Sequence, residues 1–436
     1  MKMILTRSRL SAELMEAYLD ARRHKLKKPY TLDFECDLQG NLFRLCDELL
    51  SRVYEPRPSS CFLIRDPKLR EIFAADFRDR IVHHLYYNYT HRLFERTFIA
   101  DSYSCIEGRG THYGIRRLEH HIRQESQNYQ EACYVLKMDI RGYFMHISRE
   151  RLFEEVTATL RRMAHHEADE MHQLNTDGYR RKWEEVIDLD FVAYLSRLFI
   201  LQDPVLGCKR IGDKADWAAL PPTKSLFCSP PGCGLPIGNL TSQLFSNVYL
   251  NRLDQYAKRT LRCRHYGRYV DDFYVVSADR EWLRGLIPQF RQFLGRELGL
   301  SLSEEKTIVC DVHRGVEYLG AWLLPGRIYL RSSTVNRARR HLRQLWEWAS
   351  ARDDGSECRH HEVSRRLQDV LSSYCGLMVH WRSYRLRQRL LTIENDFSRW
   401  GRFDENLGRF VPRHTGQYIP CQHEARQGRA VDRPSD

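Results

Sequence analysis

No stretch of the 436-residue chain approaches the roughly 20 consecutive apolar residues that a membrane span needs. The opening Met1-Lys2-Met3-Ile4-Leu5-Thr6-Arg7 returns to charge before an apolar core develops, so it does not read as a signal peptide. The 13 cysteines are an odd number and are scattered singly. That pattern reads as a reduced protein rather than a disulfide scaffold. Cys208, Cys228 and Cys233, the group Cys358, His360 and His361, and the pair Cys421 and His423 all lack the paired spacing of a zinc knuckle. Internal repeats and low-complexity tracts are missing. Lysine is absent after Lys306, so every strong cation beyond it is arginine. The arginine fork grips phosphate and stacks on bases. A coding bias towards arginine explains the same deficit.

What is present is apolar content of 42%, enough for a real core, and a length that suggests roughly three domains. A wholly disordered chain is excluded. Lys plus Arg is 69 against 57 Asp plus Glu, a net +12. Residues 1–30 hold eight cations and three acids, and residues 331–400 hold fourteen arginines and eight acids. This surplus points to a polyanionic partner, nucleic acid first.

Hydrophobic spacing predicts an amphipathic helix over 10–19, followed by the basic run Arg22-Arg23-His24-Lys25-Leu26-Lys27-Lys28. Further helices are expected over 42–53, 77–98, from Ser148, 239–256 and 281–298, the last ended by Gly299 and weakened by Pro288. Strands are expected over 61–64 and 134–140, and as a pair within 264–278. Asp66-Pro67 reads as a turn and 102–114 as a loop. Residues 161–190 read as a polar inserted surface segment and 202–236 as loop. A hairpin over 316–330 turns at Pro325-Gly326, and 334–399 is helical throughout. The sparse apolar content of 401–436 predicts a flexible tail. The pairs His83-His84, His120-His121 and His165-His166 suit packing, capping or RNA contact.

Two features stand out. Asp139 ends an apolar strand, and Asp271-Asp272 sit between the apolar runs Tyr266 to Val270 and Phe273 to Val276. Acids are disfavoured in strands and are seldom buried alone. An exposed hairpin tip explains a tandem Asp pair by itself. A metal site explains all three carboxylates, because hard divalent cations take carboxylate and phosphate oxygens.

The order Asp139, Gly234-Leu235-Pro236-Ile237-Gly238, Tyr269-Val270-Asp271-Asp272, Lys306, Tyr318-Leu319-Gly320 resembles that of reverse transcriptases. The resemblance runs over 62–391. It implies an α+β right-hand polymerase fold with fingers, a palm built on an antiparallel sheet, and a helical thumb. The expected division is a basic helical segment 1–60, fingers 61–133, palm 134–330 with an insertion in 161–235, thumb 331–400 and tail 401–436. The resemblance implies metal binding by Asp139, Asp271 and Asp272, aided by the Ile140 carbonyl, with two Mg²⁺ ions or Mn²⁺ in their place. It makes Phe144 the gate against a ribose 2′-hydroxyl and Lys306 the proton donor to pyrophosphate. Tyr318, Leu319 and Gly320 become the primer grip. Lys68 and Arg70 become fingertip cations for the incoming dNTP. Taken singly, Phe144 suits a core and Lys306 a solvated helix end.

Within that family, Ile237-Gly238-Asn239-Leu240-Thr241-Ser242-Gln243 is similar to the pattern of diversity-generating retroelement enzymes. Most reverse transcriptases carry Gln at the first position and Pro at the last. Residues 77–84 and 372–391 also look like that family. The resemblance implies copying of a template-repeat RNA into adenine-mutagenised cDNA, with primer, dNTPs and an oligomeric accessory variability protein as partners. It also implies a cytoplasmic, bacterial or phage-encoded enzyme. Ile237, unlike Gln, offers no hydrogen bond to an incoming nucleotide. Two alternatives stay open: a retron, group II intron or phage-defence reverse transcriptase, and an RNA-binding scaffold on a non-catalytic polymerase fold.

Overall fold

The amino-terminal helix Arg7–Arg22 starts where the Thr6 side chain accepts a hydrogen bond from the Arg9 amide. Its apolar stripe, Leu10, Leu14, Ala17 and Ala21, is fully buried. The computed structural model describes residues 3–65, 68–172 and 180–413. They fall into two compact units, Met1–Asn128 with Cys133–Val309, and Tyr129–Ala132 with Cys310–Asp436. None of the described helices is long and apolar enough to cross a membrane.

In the first unit, helices Leu38–Leu50 and Phe77–Glu95 join Arg7–Arg22 in one core with Leu240–Gln255. Strands β1 (Ser60–Ile64) and β2 (Arg70–Ala74) pair antiparallel. The expected turn at Asp66-Pro67 lies outside the described residues. The motif sheet contains β3 (Tyr134–Asp139), while β4 (Lys209–Arg210) adds to β1 in parallel. β5 (His265–Tyr269) and β6 (Asp272–Ser277) complete the antiparallel order β5-β6-β3, and β7 (Ile308–Asp311), on which the unit ends, is the fourth strand. Side chains alternate faces along β6. Phe273 meets Phe290 of helix Arg280–Phe293 with ring centroids 5.4 Å apart, and Tyr274 meets His121 of helix Thr111–Glu125. The sheet is therefore covered on both faces, and the fold class is α+β.

In the second unit, β8 (Val316–Tyr318), β9 (Ala321–Leu324) and β10 (Arg327–Leu330) form a three-stranded meander. Helices Ser332–Arg352 and Glu357–Val379 follow. A hairpin of β11 (Gly401–Phe403) and β12 (Phe410–Pro412) closes the described part.

Several expectations change. The reading of 102–114 as loop stops short, because helix Thr111–Glu125 begins at Thr111 and buries Ile115, Leu118 and Ile122. Residues 161–190 are not all surface: Trp183 and Val186 are buried in the first core. The hairpin over 316–330 has an extra turn, because Leu319 and Gly320 adopt φ of 47° and 83°. The expected flexible tail starts too early. Phe410 is fully buried and packs with Trp400, and residues 414–436 lie outside the described part. Pro288 sits inside its helix, which ends at Gly299 with φ 65° as expected. Buried Cys46, Cys61, Cys263 and Cys375 are free thiols, whereas Cys358 is disulfide-bonded.

Candidate active site

Register places the first two carboxylates. Asp139, the last residue of β3, stands opposite Asp272, the first of β6. Asp271 lies in the turn between β5 and β6, and its carbonyl accepts from the Ile140 amide at 3.3 Å. Ile140 is thereby buried at the strand end, with its backbone beside both aspartates. Lys306 arrives by a separate route. The Ser303 amide donates to the Asp139 carbonyl at 2.8 Å, and the turn Glu304–Lys306 brings Nζ to 2.7 Å from Asp139 Oδ2.

The charges explain one another. Burial pushes the Asp271 carboxyl up to about 6, reinforced by Asp139 and opposed by Lys306 and Arg70. Asp272 is raised by burial, then by the Asp271 charge and a hydrogen bond with Asp139. Burial pulls Lys306 down, but the hydrogen bond and charge of Asp139, with Asp272 and Asp271, hold it above the ordinary lysine value. Three carboxylates meet one ammonium, so negative charge is in excess. Hard oxygen donors with excess negative charge suit a divalent cation. Among the described residues no group of three His, Cys, Asp or Glu side chains is spaced as a coordination shell. The donor chemistry fits a metal ion, and the side chains as placed are tied to Lys306 and to each other.

The second group of residues gathers around β2. The Gly234 amide donates to the Ile147 carbonyl and the Leu235 amide to the Phe144 carbonyl, at 2.9 and 2.8 Å. The Ile237 carbonyl accepts from the Phe73 amide at 2.7 Å. Half-buried Phe144 and Ile237 pack on one cluster of Cys61, Phe73, Met145 and Leu226. Gly238 has φ 129°, and a Cβ there would stand 2.3 Å from the Phe73 carbonyl oxygen. Arg70 is exposed on β2, close enough to bear on Asp271. Lys68 is exposed on the bend before it. Gln243 is exposed on the first turn of Leu240–Gln255 and shares a cleft of about 450 Å³ with Tyr87, His91, Arg109 and Tyr269. Tyr318, Leu319 and Gly320 form the β8–β9 turn of the second unit. Sequence reasoning missed Arg268 and Asp254, a fully buried ion pair beneath the Asp271 turn. The signal was there: Arg268 is a charge inside an apolar strand, two residues before Val270.

Residues 224–323 match the family model for reverse transcriptase (RNA-dependent DNA polymerase). That match to an RNA-dependent DNA polymerase takes in Ile237, Gly238, Gln243, Asp271, Asp272, Lys306 and Tyr318 to Gly320. Asp139, Phe144, Lys68 and Arg70 lie outside the matched span. Protein YkfC of Escherichia coli (strain K12) is 23% identical over 317 residues, which are 65% of this chain and 71% of that protein. Among solved structures, the apo telomerase of Candida tropicalis is 10% identical with a TM-score of 0.46, covering 78% of this chain and 60% of that one. The telomerase of Candida albicans with a TWJ fragment of telomeric RNA is 10% identical with a TM-score of 0.43, covering 77% and 59%. The chain thus spans about three fifths of those telomerase chains.

Proposed function

We propose that the chain is the reverse transcriptase of a diversity-generating retroelement, a cytoplasmic enzyme copying a template-repeat RNA into adenine-mutagenised cDNA. The observation that carries the catalytic part is the pairing of Asp139 with Asp272, with Asp271 adjacent and Lys306 on Asp139. The finer assignment rests on Ile237 and Gln243 in the sequence pattern. In this reading 61–133 serve as fingers, 134–330 as palm and 331–400 as thumb.

Asp139, Asp271 and Asp272, with the Ile140 carbonyl, would hold two Mg²⁺ ions, or Mn²⁺ in their place. When bound, such ions neutralise phosphate charge and activate the attacking hydroxyl. The remaining work belongs to side chains. Lys306 carries a proton at Nζ, held there by the surrounding carboxylates, and can release it to departing pyrophosphate. Arg70 and Lys68 grip the triphosphate by charge. Phe144 occupies the volume a 2′-hydroxyl would need. Tyr318, Leu319 and Gly320 hold the primer. Template RNA, primer, dNTPs and an oligomeric accessory variability protein are the partners of this reading.

The test is extension of a primed RNA with dNTPs and Mg²⁺, comparing wild type with Asp271→Ala plus Asp272→Ala. Incorporation by wild type alone is expected, and equal signal from both sinks the metal assignment. Sequencing cDNA made on the cognate template RNA, with and without the accessory protein, tests the subtype. Errors spread evenly over all four template bases would favour another bacterial lineage.

A further inference from the structure

Val270 stands between Tyr269 and the two aspartates with φ 54°. A β-branched residue disfavours this left-handed region, so the turn persists only if its surroundings impose it. Two groups do so. The Val270 amide donates to Ser104 Oγ at 3.2 Å, and its carbonyl accepts from Arg268 Nη1 at 3.0 Å. Both supporting residues are buried.

Arg268 is itself fixed. Its Nε and Nη2 donate to Asp254 Oδ1 and Oδ2 at 2.8 and 2.7 Å, and both side chains are 0% exposed. Tyr266 donates to the same carboxylate at 2.7 Å. Arg268 also donates to Asn247 Oδ1 and Ser102 Oγ, each at 3.2 Å. Asn247 in turn accepts from Ser104 Oγ at 3.1 Å and donates to the Ser104 carbonyl at 2.8 Å. One network thus ties helix Leu240–Gln255, the segment 102–104 and β5 to both peptide units that flank Val270. A buried ion pair of this kind is poorly explained by stability, because well-packed apolar residues usually serve as well. What an apolar core lacks is a rigid fork with an N–H left over for the Val270 carbonyl.

We propose that Arg268, oriented by Asp254, is a positioning residue for the Asp271–Asp272 pair. With Ser104 it locks Val270 in the left-handed turn and so sets where the two carboxylates stand opposite Asp139. The catalytic consequence rests on the polymerase reading of this site; the locking of the turn does not.

The test uses the full chain with three readouts: hydrogen exchange over 265–277, Mn²⁺ affinity by EPR, and kcat and KM for single-nucleotide incorporation. Arg268→Lys keeps a charge for Asp254 but loses the fork, and Ser104→Ala removes one acceptor with little change in volume. Both should speed exchange at 269–272 and weaken Mn²⁺ binding by about fivefold or more. Misplaced reacting groups should lower kcat by roughly tenfold or more, with dNTP KM nearly unchanged. Adding Val270→Gly to Ser104→Ala should restore much of the kcat and the Mn²⁺ affinity, because glycine takes the turn without help. A general loss of packing would not be rescued in this way. Wild-type exchange and Mn²⁺ affinity in both Arg268→Lys and Ser104→Ala would overturn the inference. If the wild type binds Mn²⁺ but incorporates no nucleotide, the polymerase reading fails while exchange and Mn²⁺ binding still decide the role of Arg268.

Discussion

A methyl group on Gly238 would have to enter a space already filled by the Phe73 carbonyl oxygen, on a backbone that alanine resists. Gly238→Ala should therefore cost about 2 kcal/mol or more and lower the thermal midpoint by several degrees. An unchanged midpoint would mean that the packing against β2 yields freely. In the proposed reading its neighbour Ile237 bears on fidelity instead. Ile237→Gln restores a hydrogen-bonding group beside the Phe144 cluster, so adenine misincorporation should fall in a primer-extension sequencing assay. Unchanged error at template adenine refutes that account. The residues of the candidate site were legible because acids in apolar strands demand a reason. Asp254 was not, because nothing in a helical stretch shows that its single carboxylate meets an arginine in the strand that follows.

Elements were legible where a single period dominated. Leu38–Leu50 buries Leu42, Leu45 and Leu49 along one stripe, as its apolar spacing marks. Helix Thr111–Glu125 was hidden by the Gly-containing polar stretch in front of it, although Ile115, Leu118 and Ile122 already marked its buried face. The β11–β12 hairpin was hidden for a different reason: two strands of three residues are too short to show alternation. Its strength lies in tertiary packing. Phe410 packs in the same cluster as Leu367, Leu371 and Trp400. Phe410→Ala should cost about 3–5 kcal/mol, read as a lower denaturant midpoint for the second unit. A loss under about 1 kcal/mol would show that the hairpin contributes little.

For the whole molecule, charge and acid stability carry the consequences. Arg340, Arg365 and Arg385 are exposed within the arginine-rich stretch. Replacing them with Gln should weaken RNA binding and reduce the salt slope by about one unit for each phosphate that is no longer neutralised. The single-turnover chemical step should change less. Equal salt slopes would remove these residues from the RNA surface. In the first unit, burial lowers His83 to about 3, and His121 to about 4 despite the opposing charge of Asp101. Each is neutral when folded and protonates in the unfolded chain below about 6.5, so stability present above that pH is lost as pH falls. The stability advantage of wild type over His83→Gln should shrink by about 1.4 kcal/mol per pH unit between pH 6.5 and 4, measured by urea titration. A constant difference would show that His83 titrates normally when folded.

The carboxyl-terminal hairpin also governs where the chain can be cut. Helix Glu357–Val379 buries Leu367, Leu371 and Cys375 in the cluster to which Phe410 belongs. A chain shortened to end at residue 400 would bare that stripe and invite self-association. Trimming, fusion or surface immobilisation should therefore leave Phe410 and its hairpin in place.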